Sequence, residues 1–254
     1  MHLKMARRHL VLLPGLDGTG SLFAPLLANL PETLVPVVVK YPTDQVLYYE
    51  QLFPYIREVM PWDQPFILLA ESFSGPMAIK FAAEQPESIH ALVLCSCFFS
   101  KIDAPNASWT SFFTKEKWFE RATPDSAIKQ LVTGGVCEPA LLAAIKEAIR
   151  KVKPEVLAHR VRLMFEFDFS NALKELRAPL LCLAGKQDKL AAPQAIQNLL
   201  KAKENSSCAT FDSSHLLLQT HPKEALEAIV GFVQKLPATD APIPVSSAEA
   251  SAAA

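Results

Sequence analysis

Apolar residues along the 254-residue chain fall into two alternating patterns. Short, nearly continuous apolar runs recur: RHLVLLPG at 8–15, VPVVVKYP at 35–42, PFILLAES at 65–72, IHALVLCSCF at 89–98 and APLLCLAGKQD at 178–188. A weaker run, SCATFDS, follows at 207–213. Runs of this length and β-branched content predict strands buried on both faces, as in the centre of a parallel sheet. Between them, apolar positions recur at helical spacing over 46–60, 75–86, 193–203 and 221–236. Pro193 stands in the first turn of the third, where a missing N–H costs nothing. Strand-like runs alternating with helical ones predict a doubly wound, mostly parallel α/β sheet of about six strands with right-handed crossovers.

One stretch breaks the alternation. Residues 100–176 hold no convincing strand but several helical patterns, near 115–121, 124–133, 138–152 and 154–167. They also carry Trp109, Phe112, Phe113, Trp118, Phe119, Phe165, Phe167 and Phe169. This reads as a helical cap inserted into an α/β core formed by 1–99 and 177–236. Most of these aromatics are expected to make the cap's own core, and a cap over a site also supplies an apolar pocket of acyl size. The Pro-, Ser- and Ala-rich tail, 237–254, has too little apolar surface to order itself and is expected to be disordered.

Composition narrows the function. Half the residues are apolar and the net charge is −1, so the chain generates no field for holding nucleic acid or an anionic membrane. The apolar run at 9–13 is too short for a secretory signal and runs straight into PGLDGTG, and no run reaches membrane-helix length. Cys95, Cys97, Cys137, Cys182 and Cys208 have no metal-ligand spacing with a histidine, and three lie in strand-like runs. Buried reduced thiols and a cytoplasmic location are expected.

The candidate chemistry begins at LLAESFSGP, 68–76. A strand ends at Ser72 and a helix begins at Gly75. A nucleophile on such a strand-to-helix turn needs small residues two positions before and after it, because neighbouring backbone passes close. Ser72 has Ala70 and Ser74 there; Ser74 has Pro76 at its +2 position and lies further into the helix. Size therefore selects Ser72, with Ser74 read as a space-filler. A nucleophilic serine needs a base, and the base an orienting acid. Asp188 follows the run at 178–184, and His215 follows the one at 207–212. Loops after parallel strands share one edge of the sheet, which is where ligands bind. Asp212, close to His215, and Asp168, in the cap, are weaker acid candidates. His221 precedes Pro222 at a helix start and reads as a cap; His9, His90 and His159 are placed at strand starts or in the cap.

Acyl transfer also needs donors for an oxyanion. The N–H of Phe73, next after the serine, is one candidate, and the N–H of Leu16 in PGLDGTG is the other. A phosphate-loop reading of PGLDGTG fails, because no Lys-Ser or Lys-Thr follows. Asp17 reads as a turn residue, and Glu71 as a solvated or ion-paired neighbour of the serine.

With LLPGLDGTG, LLAESFSGPMAIKFA, LCLAGKQDKLAAP and SSHLLLQTHPKEALEAIVGFV, the chain resembles the α/β-hydrolase superfamily over nearly its whole length outside the cap. It departs where the common histidine-glycine pair is Pro14-Gly15, where the usual histidine before the nucleophile is Glu71, and where no glycine flanks Ser72. GLDGTG also resembles the phytyl ester synthase-like acyltransferases. The chain begins almost at the α/β-hydrolase superfamily's third strand, so the compact six-stranded esterases are the expected likeness. The resemblance implies Ser72 as nucleophile, His215 as base and then acid, Asp188 as orienting acid, and Leu16 and Phe73 as oxyanion donors. The implied activity is hydrolysis of a small-molecule carboxylic ester with an apolar acyl group, with no metal or organic cofactor. An acyltransferase or thioesterase would use the same three residues, and a non-catalytic ligand-binding member would share the fold.

Overall fold

A computed structural model of the chain describes residues 7–85, 87–97, 116, 119, 124–135, 137–166, 170–191, 196, 200, 203 and 206–237. Six strands form one all-parallel sheet: β1 (Arg8–Leu13), β2 (Leu34–Val38), β3 (Phe66–Glu71), β4 (Ile89–Cys95), β5 (Leu180–Gly185) and β6 (Ser206–Phe211). Their order in space is β2-β1-β3-β4-β5-β6. The doubly wound α/β expectation is met. β3, β4 and β5 are buried at every position, whereas no residue of the edge strand β6 is more than half-buried and three are exposed. That difference in burial explains why the last run looked weak in sequence.

Side chains alternate between two apolar layers with the period of a strand. Val11, Leu13, Leu68, Ala70, Leu92, Leu94, Leu180 and Cys182 face one core, with α2 (Tyr49–Arg57) and α3 (Gly75–Glu84). Leu10, Leu12, Ile67, Leu69, Ala91, Val93, Leu181 and Leu183 face the other. There they meet α1 (Ala24–Leu27), α8 (Leu217–Thr220) and α9 (Pro222–Val233).

Among the described residues, four helices lie in the chain between β4 and β5: α4 (Asp125–Val132), α5 (Pro139–Arg150), α6 (Pro154–Glu166) and α7 (Ser170–Glu175). The patterns at 124–133, 138–152 and 154–167 correspond to the first three. The helix expected at 115–121 falls almost wholly outside the described residues, as do Trp109, Phe112, Phe113, Trp118, Phe167, Phe169, most of 193–203 and the tail beyond 237. No helix among the described residues is long and apolar enough to cross a membrane.

The strand order has a consequence for the site. From β1 the chain goes one way to β2, then returns past β1 to β3. Crossovers on either side leave a crevice between the loops that follow β1 and β3, and such crevices hold ligands in open α/β sheets. These loops are PGLDGTG and ESFSG.

Candidate active site

Ser72 opens a single 3₁₀ turn, Ser72–Ser74, between β3 and α3. Its φ is +48°, in the left-handed region that a residue with a Cβ enters at a cost of about 1–3 kcal/mol. Two features hold it there. Ala70, two residues earlier, is paired between Leu13 and Leu94 and is fully buried. Gly75 lets α3 press onto the end of β4: a Cβ there would meet the Cys97 Cβ at 2.5 Å.

The acid and histidine loops meet backbone on backbone. The Lys186 N–H donates to Phe211 O at 2.9 Å, and the Gln187 N–H to Ser213 O at 3.0 Å. A Cβ on Gly185 would stand 2.4 Å from the carbonyl oxygens of both Ser213 and Ser214, so only glycine permits this approach. The result is a continuous hydrogen-bonded chain. His215 Nδ1 lies 2.9 and 3.1 Å from the two Asp188 carboxylate oxygens, and His215 Nε2 lies 2.8 Å from Ser72 Oγ. Asp188 Oδ1 also accepts the N–H groups of Leu190 (2.8 Å) and Ala191 (2.9 Å). All three side chains are buried.

Burial drives these groups toward their neutral forms, and their partners oppose it. For His215, burial alone would lower the pKa, but the charge and hydrogen bond of Asp188, with Glu71 behind, raise it above its usual 6.5. For Asp188, burial would raise the pKa; His215 and the two loop amides hold it below the usual carboxylate range. With Asp188 accepting from Nδ1–H, Nε2 presents its lone pair to Ser72.

PGLDGTG wraps the other flank. The Gly18 N–H donates to Gly15 O (3.0 Å), closing a turn over Leu16 and Asp17, and Gly18 itself has φ +70°. The Leu16 N–H has no acceptor among the described residues. Asp17 turns its carboxylate back onto the Thr19 N–H (2.8 Å) and hydroxyl. Ser74 does more than fill space, contrary to expectation. Its hydroxyl donates to Pro14 O and accepts from Tyr41 at 2.8 Å, tying the elbow to the loop.

Glu71 also departs from the sequence reading. It is neither solvated nor ion-paired but buried, accepting from Gln219 Nε2 at 2.9 Å. Burial, and Asp17 after the Gln219 bond is counted, lift its pKa to about 7, with His215 pulling the other way.

The weaker candidates lie elsewhere. Asp212 is exposed and pairs with Lys186 at 3.6 Å. His221 accepts or donates at Nδ1 to the Thr220 hydroxyl, at the start of α9. His9 meets Gln64 near the opposite end of β1, and His159 sits edge-on to Tyr48 on α6. Asp168 is outside the described residues. Arg160, which sequence reasoning passed over, is 2% exposed and donates to the carbonyls of Leu16, Asp17 and Pro42. The signal was present: Arg160 lies on the buried stripe of Val156, Leu157 and Leu163, where a cation needs a partner.

Residues 43–215, a stretch that includes Ser72, Asp188 and His215, match the serine aminopeptidase family, S33. The chain belongs to that family. Its relatives include esterases. A pimeloyl-[acyl-carrier protein] methyl ester esterase of Xylella fastidiosa is 26% identical over 247 residues, covering 90% of this chain and 96% of its own. The biotin biosynthesis bifunctional protein BioHC of Cellvibrio japonicus is 25% identical over 91% of this chain; the chain spans 49% of that longer protein. Among solved structures, an esterase from Exiguobacterium antarcticum superposes with a TM-score of 0.79 at 15% identity, covering 91% of this chain and 94% of its own. A hydrolase from Oleispira antarctica has the same TM-score at 14% identity, covering 91% and 92%. Likeness at these identities establishes the α/β-hydrolase fold.

Proposed function

We propose that the protein hydrolyses carboxylic esters through an acyl-enzyme on Ser72. The observation that carries this reading is the unbroken chain from Ser72 Oγ through His215 to Asp188, with its 2.8 and 2.9 Å links, at the start of a strained strand-to-helix turn. His215 Nε2 takes the hydroxyl proton as Ser72 Oγ bonds to the acyl carbon. Asp188 stabilises the imidazolium and holds its tautomer. The carbonyl oxygen, now anionic, lies between the N–H groups of Leu16 and Phe73. Both donors belong to polarised peptide units, because Gly15 O accepts from the Gly18 N–H and Ser72 O from the Gly75 N–H. The tetrahedral species collapses, His215 gives its proton to the departing alcohol, and the ester bond breaks. Water then surrenders a proton to His215 as it attacks the acyl carbon; the Ser72 Oγ–acyl bond breaks, His215 returns the proton to Oγ, and the acid is freed.

An apolar acyl group suits the surroundings. Leu22 and Leu216, beside the two loops, pack with Ile128, Leu142 and Ile145 of α4 and α5. The helices between β4 and β5 thus form the cover of the site in this reading. The names of the relatives support a methyl ester on a carrier-bound acyl chain as the first physiological substrate to try.

The test is hydrolysis of p-nitrophenyl esters, acetate to palmitate, by wild type and Ser72→Ala. Loss of about 10³-fold or more is expected in the variant, the size of a lost nucleophile. A wild type inert on every ester, or a variant equal to it, would sink the reading.

A further inference from the structure

We propose that Arg160 is a positioning residue for the oxyanion hole, fixing the Leu16–Asp17 backbone so that the Leu16 N–H faces the acyl oxygen. The inference rests on the reading of Leu16 as an oxyanion donor.

The guanidinium is a buried cation. Among the described residues it has no carboxylate within ion-pair distance, since the nearby Asp17 carboxylate turns to Thr19 instead. Its charge is answered by three carbonyl oxygens. Nη1 donates to Leu16 O at 2.9 Å and Asp17 O at 2.8 Å, and Nη2 to Pro42 O at 2.8 Å. Charge-assisted bonds of this kind are stronger than neutral ones, and the planar fork dictates where each carbonyl must sit. Two consecutive carbonyls held by one rigid group fix the peptide planes that follow the Leu16 N–H.

The loop is shaped around this group. A Cβ on Gly18 would fall 2.5 Å from Nη1, so the glycine admits the guanidinium as well as the positive φ. The guanidinium also lies 5.8 Å from the ring centres of Tyr41 and Phe73, and Phe73 carries the other candidate donor. Leu16 is gripped a second time by its side chain, which packs with Val152, Val156 and Leu157 at and before the start of α6. α6 packs against the Ser72–Ser74 turn as well. A single helix, from the segment inserted between β4 and β5, therefore holds the oxyanion loop by backbone and side chain together.

A merely structural arginine would change stability alone, so the test reads transition-state binding. Wild type and Arg160→Lys are titrated with a fluorophosphonate to count active sites. Each is then assayed for kcat, KM and affinity for a trifluoromethyl ketone, whose hemiketal oxyanion occupies the hole. The lysine keeps the charge but cannot span three carbonyls. Expected is a fall in kcat of about 10–100-fold, the range for a misplaced or weakened oxyanion donor, with a matching loss of ketone affinity and little change in KM. Methylguanidinium should restore part of the activity of Arg160→Ala. If Arg160→Lys does not fold, Arg160→Gln, whose single amide group cannot span three carbonyls, gives the same comparison without touching the loop itself. Unchanged kcat per titrated site and unchanged ketone affinity, with only Tm lowered, would overturn the proposal. A wild type inert on all esters would instead remove the parent reading. An active wild type, an inert Ser72→Ala and an Arg160→Lys equal to wild type would remove this inference alone.

Discussion

The two flanks of Ser72, which the proposed mechanism uses as its acid–base side and its oxyanion side, are built by different means. On the acid–base side, the loops carrying Asp188 and His215 leave adjacent parallel strands and stay bound to one another by main-chain hydrogen bonds, with Gly185 allowing the contact. On the oxyanion side, PGLDGTG has one main-chain tie of this kind, from the Tyr41 N–H to Gly18 O at 2.8 Å, and is otherwise held by side chains from distant parts of the chain: Ser74, itself bonded by the Tyr41 hydroxyl, at Pro14, and Arg160, 144 residues from Leu16. The first flank is positioned by the sheet itself. The second is positioned by residues that could be replaced without disturbing the sheet, and so is the easier one to tune. Backbone ties should fail all at once when the key polar group is altered; side-chain ties should fail by degrees.

Asp188→Asn should have the largest effect. An amide in place of the carboxylate offers an N–H to Nδ1, which forces the imidazole proton onto Nε2 and removes the lone pair that faces Ser72. A fall in kcat of about 10⁴-fold is expected. The pH profile should move as well. Asp188 raises the pKa of His215 above 6.5, and the base works only when neutral, so wild-type kcat/KM should fall as pH drops through a value above 6.5. Without the carboxylate charge, burial prevails, and this limb should shift to lower pH. A limb that stays in place would mean that another group sets it.

Ser74→Ala tests the opposite flank more gently. It removes the donor to Pro14 O and strands the Tyr41 hydroxyl, while Arg160 still holds the loop. A drop in kcat of about 10-fold is expected, equivalent to one buried hydrogen bond, with the acid limb of the pH profile unmoved. A shift of that limb would show that the two flanks are not separable.

The same contrast governs how far the sequence was legible. Continuous apolar runs exposed the strands because the central strands are buried on both faces, and with the strands came the loops that follow them. Ser72, Asp188 and His215, which the structure brings together, were within reach of that reasoning, since each lies in the loop that follows a strand. The helix expected over 46–60 is shorter, Tyr49–Arg57: before it the chain runs as a loop, tied at Thr43 O by the Lys153 N–H, to Tyr48, whose N–H donates to Gln51 Oε1. Local periodicity cannot register a tie from a residue so far along the chain. The burial of Arg160 is legible from its helix stripe, but the partners of Arg160, Ser74 and Tyr41 are remote, and no spacing rule connects them. Glu71 was misjudged because a carboxylate at a strand end looks exposed, whereas the partner that buries it, Gln219, is 148 residues away.

Glu71 touches both flanks, and Glu71→Gln should have the smallest effect on rate. Its carboxylate lies against Gly15 of the oxyanion loop, where a Cβ would be 3.6 Å from Oε2, and accepts from Gln219 on α8. Gln219 Oε1 is buried with no partner among the described residues, so a neutral, donating group at position 71 fits this pocket better than a carboxylate does. The folded pKa of about 7, against the usual 4.5, means that the native state binds a proton the unfolded chain has already lost in between. Wild-type stability should therefore fall as pH rises from about 4.5 to 7, by up to ~3 kcal/mol, and stay low above that. His215, whose folded pKa is raised, adds a slope of the same sign: its contribution is complete below 6.5 and is lost as pH rises through its folded value. Glu71→Gln removes the carboxyl part and leaves the histidine part. Thermal melts at pH 5 and pH 8 should show the variant close to wild type at the lower pH and more stable at the higher, with kcat within about 3-fold because no bond to Ser72 or His215 is lost. Parallel melting curves would mean that Glu71 is ionised throughout, and that a buried carboxylate between Gly15 and Gln219 is held by the two flanks rather than strained against them.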